Sequence, residues 1–300
     1  MRVRVISFAR LPAVLVLLAC ATMATAASPP VFDGAAALRH VERLVALGPR
    51  PAGSEASARA RAYISAELKK AGITGEVRPF RAETPQGPVA MANVVAVLKG
   101  RRPDVIMIAG HYDTKLFSGF RFVGANDGGS SAALLIELAR RLAATPHEYT
   151  YWVVWFDGEE AVESWTDRDS LYGSRHLADE LRRANRLPRA MLLVDMIGDR
   201  DLVIRRESAS ASWLTDIVWA SAARFGYSAH FHSDIIPVED DHVPFLRAGV
   251  PSALLIDFDY PPWHTAEDTV DKISARSLSV VGEVLLDALP AVEHYLSRSR

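Results

Sequence analysis

The chain has 300 residues, 49% of them hydrophobic and 23% charged, an ordinary globular composition that excludes collagenous, fibrous and disordered classes. A formal net charge of -2 and a pI near 6.5 supply no field that would draw in nucleic acid or an anionic membrane surface. With only one cysteine, the chain has no disulfide framework to lean on.

Arg2, Arg4 and Arg10 precede or flank an apolar run at 11–19, and small residues continue as far as Ala27. The run is too short to cross a hydrocarbon core of roughly 30 Å, so it reads as a secretory signal and not as a transmembrane span. Leu17-Leu18-Ala19-Cys20 resembles a bacterial lipoprotein cleavage box, in which residues 1–19 are removed and Cys20 becomes a lipid anchor; ordinary cleavage near Ala24-Thr25-Ala26 would instead remove residues 1–27. Both readings predict an exported protein, periplasmic or secreted, and the first predicts an outer-membrane lipoprotein. Residues 28–300 then form a single domain without cysteine, long enough to be stabilised by its core alone.

In 31–72, Leu38, Val41, Leu44, Val45 and Leu47 recur at helical spacing, Gly48-Pro49-Arg50-Pro51 breaks the pattern, and Ser54 is placed to cap a second helix ending at Ala71-Gly72. Strand-like apolar runs follow at 92–98, 105–109, 149–156, 190–196, 202–205 and 252–256, alternating with helical stretches at 130–144, 171–185, 210–225 and 274–296. The alternation predicts an α/β three-layer sandwich: a mostly parallel, twisted mixed sheet with helices on both faces. The segments left over, 112–127, 158–170, 234–245 and 257–270, are predicted loops near strand ends. In open α/β sheets the ligand crevice lies outside the carboxyl ends of the strands, so these loops should converge there.

They carry the acids and imidazoles of the chain's chemistry. His111-Tyr112-Asp113 follows one strand, Asp127 precedes a helix, Asp157-Gly158-Glu159-Glu160 follows another strand, Asp195 ends a third, and Trp263-His264 lies in the last loop. Taken singly, each has a bland explanation: Asp127 as a helix cap, Glu159 and Glu160 as a solvated pair, Asp195 as a turn residue, His264 as a surface histidine. Their joint placement is different, because burying several acids together is costly unless a cation pairs them. Two carboxylates and one imidazole, with a position left for substrate, satisfy a catalytic zinc.

Gly110-His111-Tyr112-Asp113, Asn126-Asp127-Gly128-Gly129-Ser130, Asp157-Gly158-Glu159-Glu160 and Trp263-His264-Thr265-Ala266-Glu267-Asp268-Thr269 resemble segments of the zinc aminopeptidase-like clan. Within it the chain is most similar to the glutaminyl-peptide cyclotransferases. Trp165, the stretch Asp169-Ser170-Leu171-Tyr172-Gly173-Ser174-Arg175-His176-Leu177-Ala178, Asp195-Met196-Ile197-Gly198 and Asp240-Asp241-His242-Val243-Pro244-Phe245-Leu246 carry that similarity. The resemblance spans essentially everything after the leader. It implies one Zn2+ held by Asp127, Glu160 and His264, with Glu159 as general acid/base and Asp195 and Asp240 hydrogen-bonding around the reacting group. It further implies that Trp165 and Trp263 shape the substrate pocket, and that the substrates are peptides or proteins with N-terminal glutamine. Animal members carry a disulfide near the His111 segment, which this chain lacks.

His111, Asp113 and Asp195 match positions at which di-zinc aminopeptidases build a second site, so His111 with Asp195 is a candidate for a second ion. The nearest alternative function is accordingly a zinc metallo-aminopeptidase on the same scaffold, with Glu159 as base. A catalytically silent binding module is disfavoured because the ligand set is complete. His242, between Asp241 and Val243, is read as loop support.

Overall fold

The computed structural model describes Met1 and residues 32–298; the leader, with Cys20 and both cleavage readings, lies outside the described residues. Asp33 caps α1 (Gly34–Ala46) by accepting from the N–H of Ala36, and Ser54 caps α2 (Glu55–Lys70) through the N–H of Ser57. Glu55 in the first turn and Lys69 and Lys70 in the last complement the dipole of α2. A hairpin of β1 (Gly75–Thr84) and β2 (Gly87–Leu98) follows, then β3 (Val105–His111), α3 (Gly129–Ala143), β4 (Thr150–Phe156), α4 (Tyr172–Arg183) and β5 (Ala190–Asp195). The chain continues through β6 (Ile204–Glu207), α5 (Ser212–Arg224), β7 (Phe231–Ile236), the short α6 (Val243–Arg247), β8 (Ser252–Ile256) and the long α7 (Ala275–Arg298). None of the described helices is long and apolar enough to cross a membrane.

The main sheet has six strands in the order β1-β2-β4-β3-β5-β8. β3 runs parallel to β4 and β5, and β5 to β8, while β1–β2 and β2–β4 are antiparallel. The predicted mixed sheet with helices on both faces is therefore present. β4 shows how the sequence makes it. Its unbroken apolar run supplies Tyr151, Val153 and Trp155 to a large core shared with α1, α3, α5 and α7, and Trp152, Val154 and Phe156 to a smaller one under α4 and α6. Alternate residues point to opposite faces, so only a strand covered on both sides is apolar throughout.

Where a strand is not so covered, the sequence pattern fails. β1 alternates Glu76, Arg78, Arg81 and Glu83 with weakly apolar residues, and only Ala82 is buried. It is held by pairing along its whole length with β2. β7, with exposed Ser233, Asp234 and Ile235, exists by pairing with β6, and the two form a separate small parallel sheet. β6 itself lies two residues beyond the predicted 202–205. The expected loop at 234–245 is correspondingly shorter, since β7 occupies its start and α6 its end.

α7 packs closely against the N-terminal segment. A Cβ on Gly282 would lie 2.2 Å from the ring of Phe32, and one on Gly34 would lie 2.0 Å from the carbonyl of Ala275. In an unobstructed helix interior Gly→Ala gains about 1 kcal/mol, but forced overpacking costs about 1–3 kcal/mol or more. Gly282→Ala is therefore expected to destabilise the protein by about 2 kcal/mol in urea denaturation; a stabilised variant would show that Phe32 moves aside freely.

Candidate metal centre

The carboxyl ends of β3, β4, β5 and β8 bring the predicted residues to one place. β3 ends at His111 and β5 at Asp195, β4 leads directly into Asp157-Gly158-Glu159-Glu160, and the chain after β8 returns with Trp263-His264. Gly158 (φ 68) turns the chain sharply where a Cβ would lie 2.6 Å from the sulfur of Met91. Met196 (φ 46) and His264 (φ 54) are left-handed without being glycine, a strain that persists only where surroundings impose it.

Those surroundings are polar and buried. Asp113 accepts from the N–H of Glu159 at 3.1 Å and of Glu160 at 3.3 Å, which fixes the paired glutamates. Asp268 accepts from the N–H of Asn126 (2.8 Å), the N–H of Asp127 (3.1 Å) and the hydroxyl of Tyr260 (2.8 Å). Fully buried Arg50 donates to the carbonyls of Tyr112 (3.1 Å), Val123 (2.7 Å) and Gly124 (3.0 Å), shaping the loop that carries Asp127. Burial brings the Arg50 guanidinium down to about 10. Sequence reasoning missed Arg50 and gave Asp268 no role. An arginine inside the Gly-Pro break between two helices was the available signal for the first.

Asp127, Glu160 and His264 meet as expected. His264 Nε2 lies 3.1 Å from Glu160 Oε1 and 3.3 Å from Asp127 Oδ2, and potential ligand atoms of the three residues all fall within 4.8 Å of one another. His111, Asp127 and Asp195 form a second such group, with His111 Nε2 3.2 Å from Asp127 Oδ1 and 3.0 Å from Asp195 Oδ1. Asp127 does not cap α3, whose N-cap is Gly128 with no side-chain bond. Nor are Glu159 and Glu160 solvated; both are buried.

The lone pairs are arranged for a cation. Asp127 Oδ2 is buried and makes no hydrogen bond, although it faces the His264 nitrogen, and two carboxylates with one imidazole are a donor set that zinc accepts. Burial and the neighbouring Asp127 carboxylate push Glu160 up to about 7 despite its bond to His264. Burial would lower His264, but the adjacent carboxylates of Asp127 and Glu160 override it and lift the imidazole to about 9. Burial likewise opposes ionisation of Asp127, yet the two histidines hold it below the usual carboxylate range.

Beside this cluster lies a cavity of about 260 Å³ whose walls include Glu159, Asp195, Asp240, Met196, Val238, Ile256, Phe258, Trp165 and Trp263. The tryptophans are 40% and 41% exposed, so they stand at its mouth and are not core aromatics. Trp263 stacks on His264 with centroids 4.3 Å apart, while Phe117 and Phe122 meet the same imidazole edge-on. Asp240 is buried with Oδ2 unpartnered. His242 supports the loop as read, bonded to Glu207 Oε2 at 3.0 Å. A larger depression, about 800 Å³, opens at the opposite end of the strands beside Thr74, Lys99 and His147, away from these acids.

The profile of peptidase family M28 matches residues 93–289, which contain every residue of the cluster. The glutaminyl-peptide cyclotransferase-like protein of Mus musculus is 34% identical over 268 residues, covering 79% of this chain and 70% of its own. The chain belongs to peptidase family M28, in its glutaminyl-peptide cyclotransferase branch. The crystal structure of an Acidobacteriales bacterium glutaminyl cyclase, 41% identical, superposes with a TM-score of 0.85 over 89% of this chain and 97% of that one. A leucine aminopeptidase precursor from Bacteroides thetaiotaomicron, 23% identical, shares the fold at a TM-score of 0.81 over 88% of this chain and 98% of its own.

For this cyclotransferase-branch member the electrostatics have a measurable signature. Glu160 and Asp241 are raised to about 7 and Asp268 to about 6, in each case first by burial. A carboxyl whose pKa is higher folded than unfolded binds its proton more tightly when folded, so its contribution is complete at low pH and is lost as pH rises through the folded value. Thermal melts of chelator-treated protein should therefore decline from about pH 5 to about pH 8. Added zinc should flatten that decline, because a cation takes the place of the protons. A chelated protein equally stable across the range would contradict the described balance of charges.

Proposed function

We propose that this chain is an exported zinc-dependent glutaminyl-peptide cyclotransferase, an acyltransferase that closes the N-terminal glutamine of peptides or proteins into pyroglutamate and releases ammonia. The observation that carries the reading is the meeting of Asp127, Glu160 and His264 beside a cavity of about 260 Å³ containing Glu159, Asp195 and Asp240. Relatives of the glutaminyl cyclase type at 34% and 41% identity support it. In this reading residues 28–300 are one catalytic domain. The leader directs export by signal cleavage or by lipidation of Cys20, and the mass of the mature N-terminus decides between these.

Asp127, Glu160 and His264 would hold the zinc, which when bound supplies Lewis acidity toward the carboxamide oxygen. The cavity has room for a single side chain, so the glutamine would enter while the rest of the peptide leaves past Trp165 and Trp263. Held there, the substrate's α-amine nitrogen lies near its own γ-carbonyl carbon, and an intramolecular attack needs mainly orientation. The new C–N bond closes the ring and the bond to the carboxamide nitrogen breaks, so one proton must travel from the amine to the departing ammonia. Glu159 would carry it. Burial raises its carboxyl well above the usual range against the pull of His111, and Glu160 and Asp240 add to the rise, which suits a group that must both accept and return a proton near neutrality. Asp240, with its free Oδ2, would orient the carboxamide nitrogen, supported by Asp195.

The grouping of His111, Asp127 and Asp195 favours one second reading, a two-metal aminopeptidase. An assay offering a glutaminyl peptide and a leucyl chromogenic substrate separates the two. Ammonia release from the first should dominate, and faster leucyl hydrolysis would overturn the cyclase reading. Glu159→Gln should keep its zinc, measured by elemental analysis, and lose about a thousandfold in kcat; turnover near wild type would remove Glu159 from the reaction.

A further inference from the structure

The two loops at the mouth of the cavity meet through a closed circuit of side chains. The indole N–H of Trp165 donates to Glu239 Oε2 at 3.1 Å. Glu239 Oε1 lies 3.3 Å from Arg247 Nη2, and the same nitrogen lies 3.2 Å from Asp167 Oδ1. The contacts thus leave the loop after β4 at Trp165, cross to Glu239 in the loop after β7, pass to Arg247 at the end of α6, and return to the first loop at Asp167.

Behind Trp165 this loop is firm. Asp169 accepts from the N–H groups of Val162, Glu163 and Ser164 and from the hydroxyl of Tyr172. Trp165 itself, 40% exposed, has too much of its ring in water for burial alone to fix its orientation. A single exposed ion pair would do little. One carboxylate that takes an indole N–H on one oxygen and a guanidinium on the other restrains both loops together.

We propose that Glu239 is a positioning residue that holds Trp165 across the mouth of the cavity, braced by Arg247 and Asp167. The proposal rests on the reading of this cavity as the seat of the N-terminal glutamine. Each oxygen of Glu239 is thus tied to a different element, Oε2 to the indole of Trp165 and Oε1 to the guanidinium of Arg247. Glu239 also precedes Asp240 directly, so the loop that offers Asp240 to the carboxamide is the loop that steadies the tryptophan wall.

The test uses the zinc-loaded protein labelled with 15N. Its six tryptophans give indole N–H signals, and Trp165→Phe identifies the one from Trp165. In Glu239→Ala that signal should move upfield and exchange faster with solvent, whereas Glu239→Gln, which keeps an acceptor, should restore it toward its original position. For a glutaminyl peptide, Glu239→Ala should raise KM about fivefold with kcat within about twofold. Adding Trp165→Phe should raise KM further by less than the two single effects multiplied. An unmoved indole signal in Glu239→Ala, or KM effects that multiply independently, would overturn the proposal. Wild-type protein that releases no ammonia would instead overturn the proposed reaction, and the indole signal would still decide whether the clasp exists.

Discussion

Like charges held out of water are the constraint around which this structure is organised. Asp113, Asp127, Glu159, Glu160, Asp195, Asp240 and Asp241 are all buried at one end of the sheet. Such an arrangement is costly unless each carboxylate is hydrogen-bonded, protonated or paired with a cation. The structure sorts them by how that demand is met. Asp113 and Asp268 spend their lone pairs on backbone N–H groups and hydroxyls, so they serve as braces. Asp127 Oδ2, Asp240 Oδ2 and both oxygens of Asp241 are buried without such partners. An acid with consumed lone pairs builds the site, and one with open lone pairs is available to a ligand or a proton.

The sheet makes this arrangement rigid. β3, β4 and β5 are central and covered on both faces, so the residues at their carboxyl ends inherit the stiffness of the core. The intervening loops are tied back to it: Arg50 gathers the carbonyls of Tyr112, Val123 and Gly124, and Asn126 joins the Asp127 segment to the turn after β5 through the N–H of Gly198 and the carbonyl of Met196. The neighbourhood of the His111 segment is thus held by a buried guanidinium and a set of buried amides and acids through hydrogen bonds.

What the sequence reveals follows from which forces leave a local trace. Two-sided burial leaves an apolar run, so β3, β4, β5 and β8 were legible, and capping leaves Ser54 at the head of α2. The candidate ligands were legible because acids and an imidazole after successive strands have little reason to occur together otherwise. β1 and β7 were not, since pairing and not patterning makes them strands, and a partner distant in sequence leaves no local mark. The roles of Arg50 and Asp268 were hidden for the same reason. Arg50 binds carbonyls more than sixty positions away, and Asp268 holds N–H groups more than a hundred and forty away.

Asp127 is the hinge between a one-metal and a two-metal reading, because its oxygens face different imidazoles: Oδ1 toward His111 and Oδ2 toward His264. The two histidines are not equivalent. His264 is partly exposed beside the cavity, where a ligand can reach it. His111 is fully enclosed among Asp113, Asp127, Glu159 and Asp195, and although burial opposes its charge, Asp195 and Glu159 raise its pKa well above that of a free imidazole. An imidazole that holds its proton more tightly in this enclosure competes with an ion for the same nitrogen, so any ion at His111, Asp127 and Asp195 would bind with release of that proton.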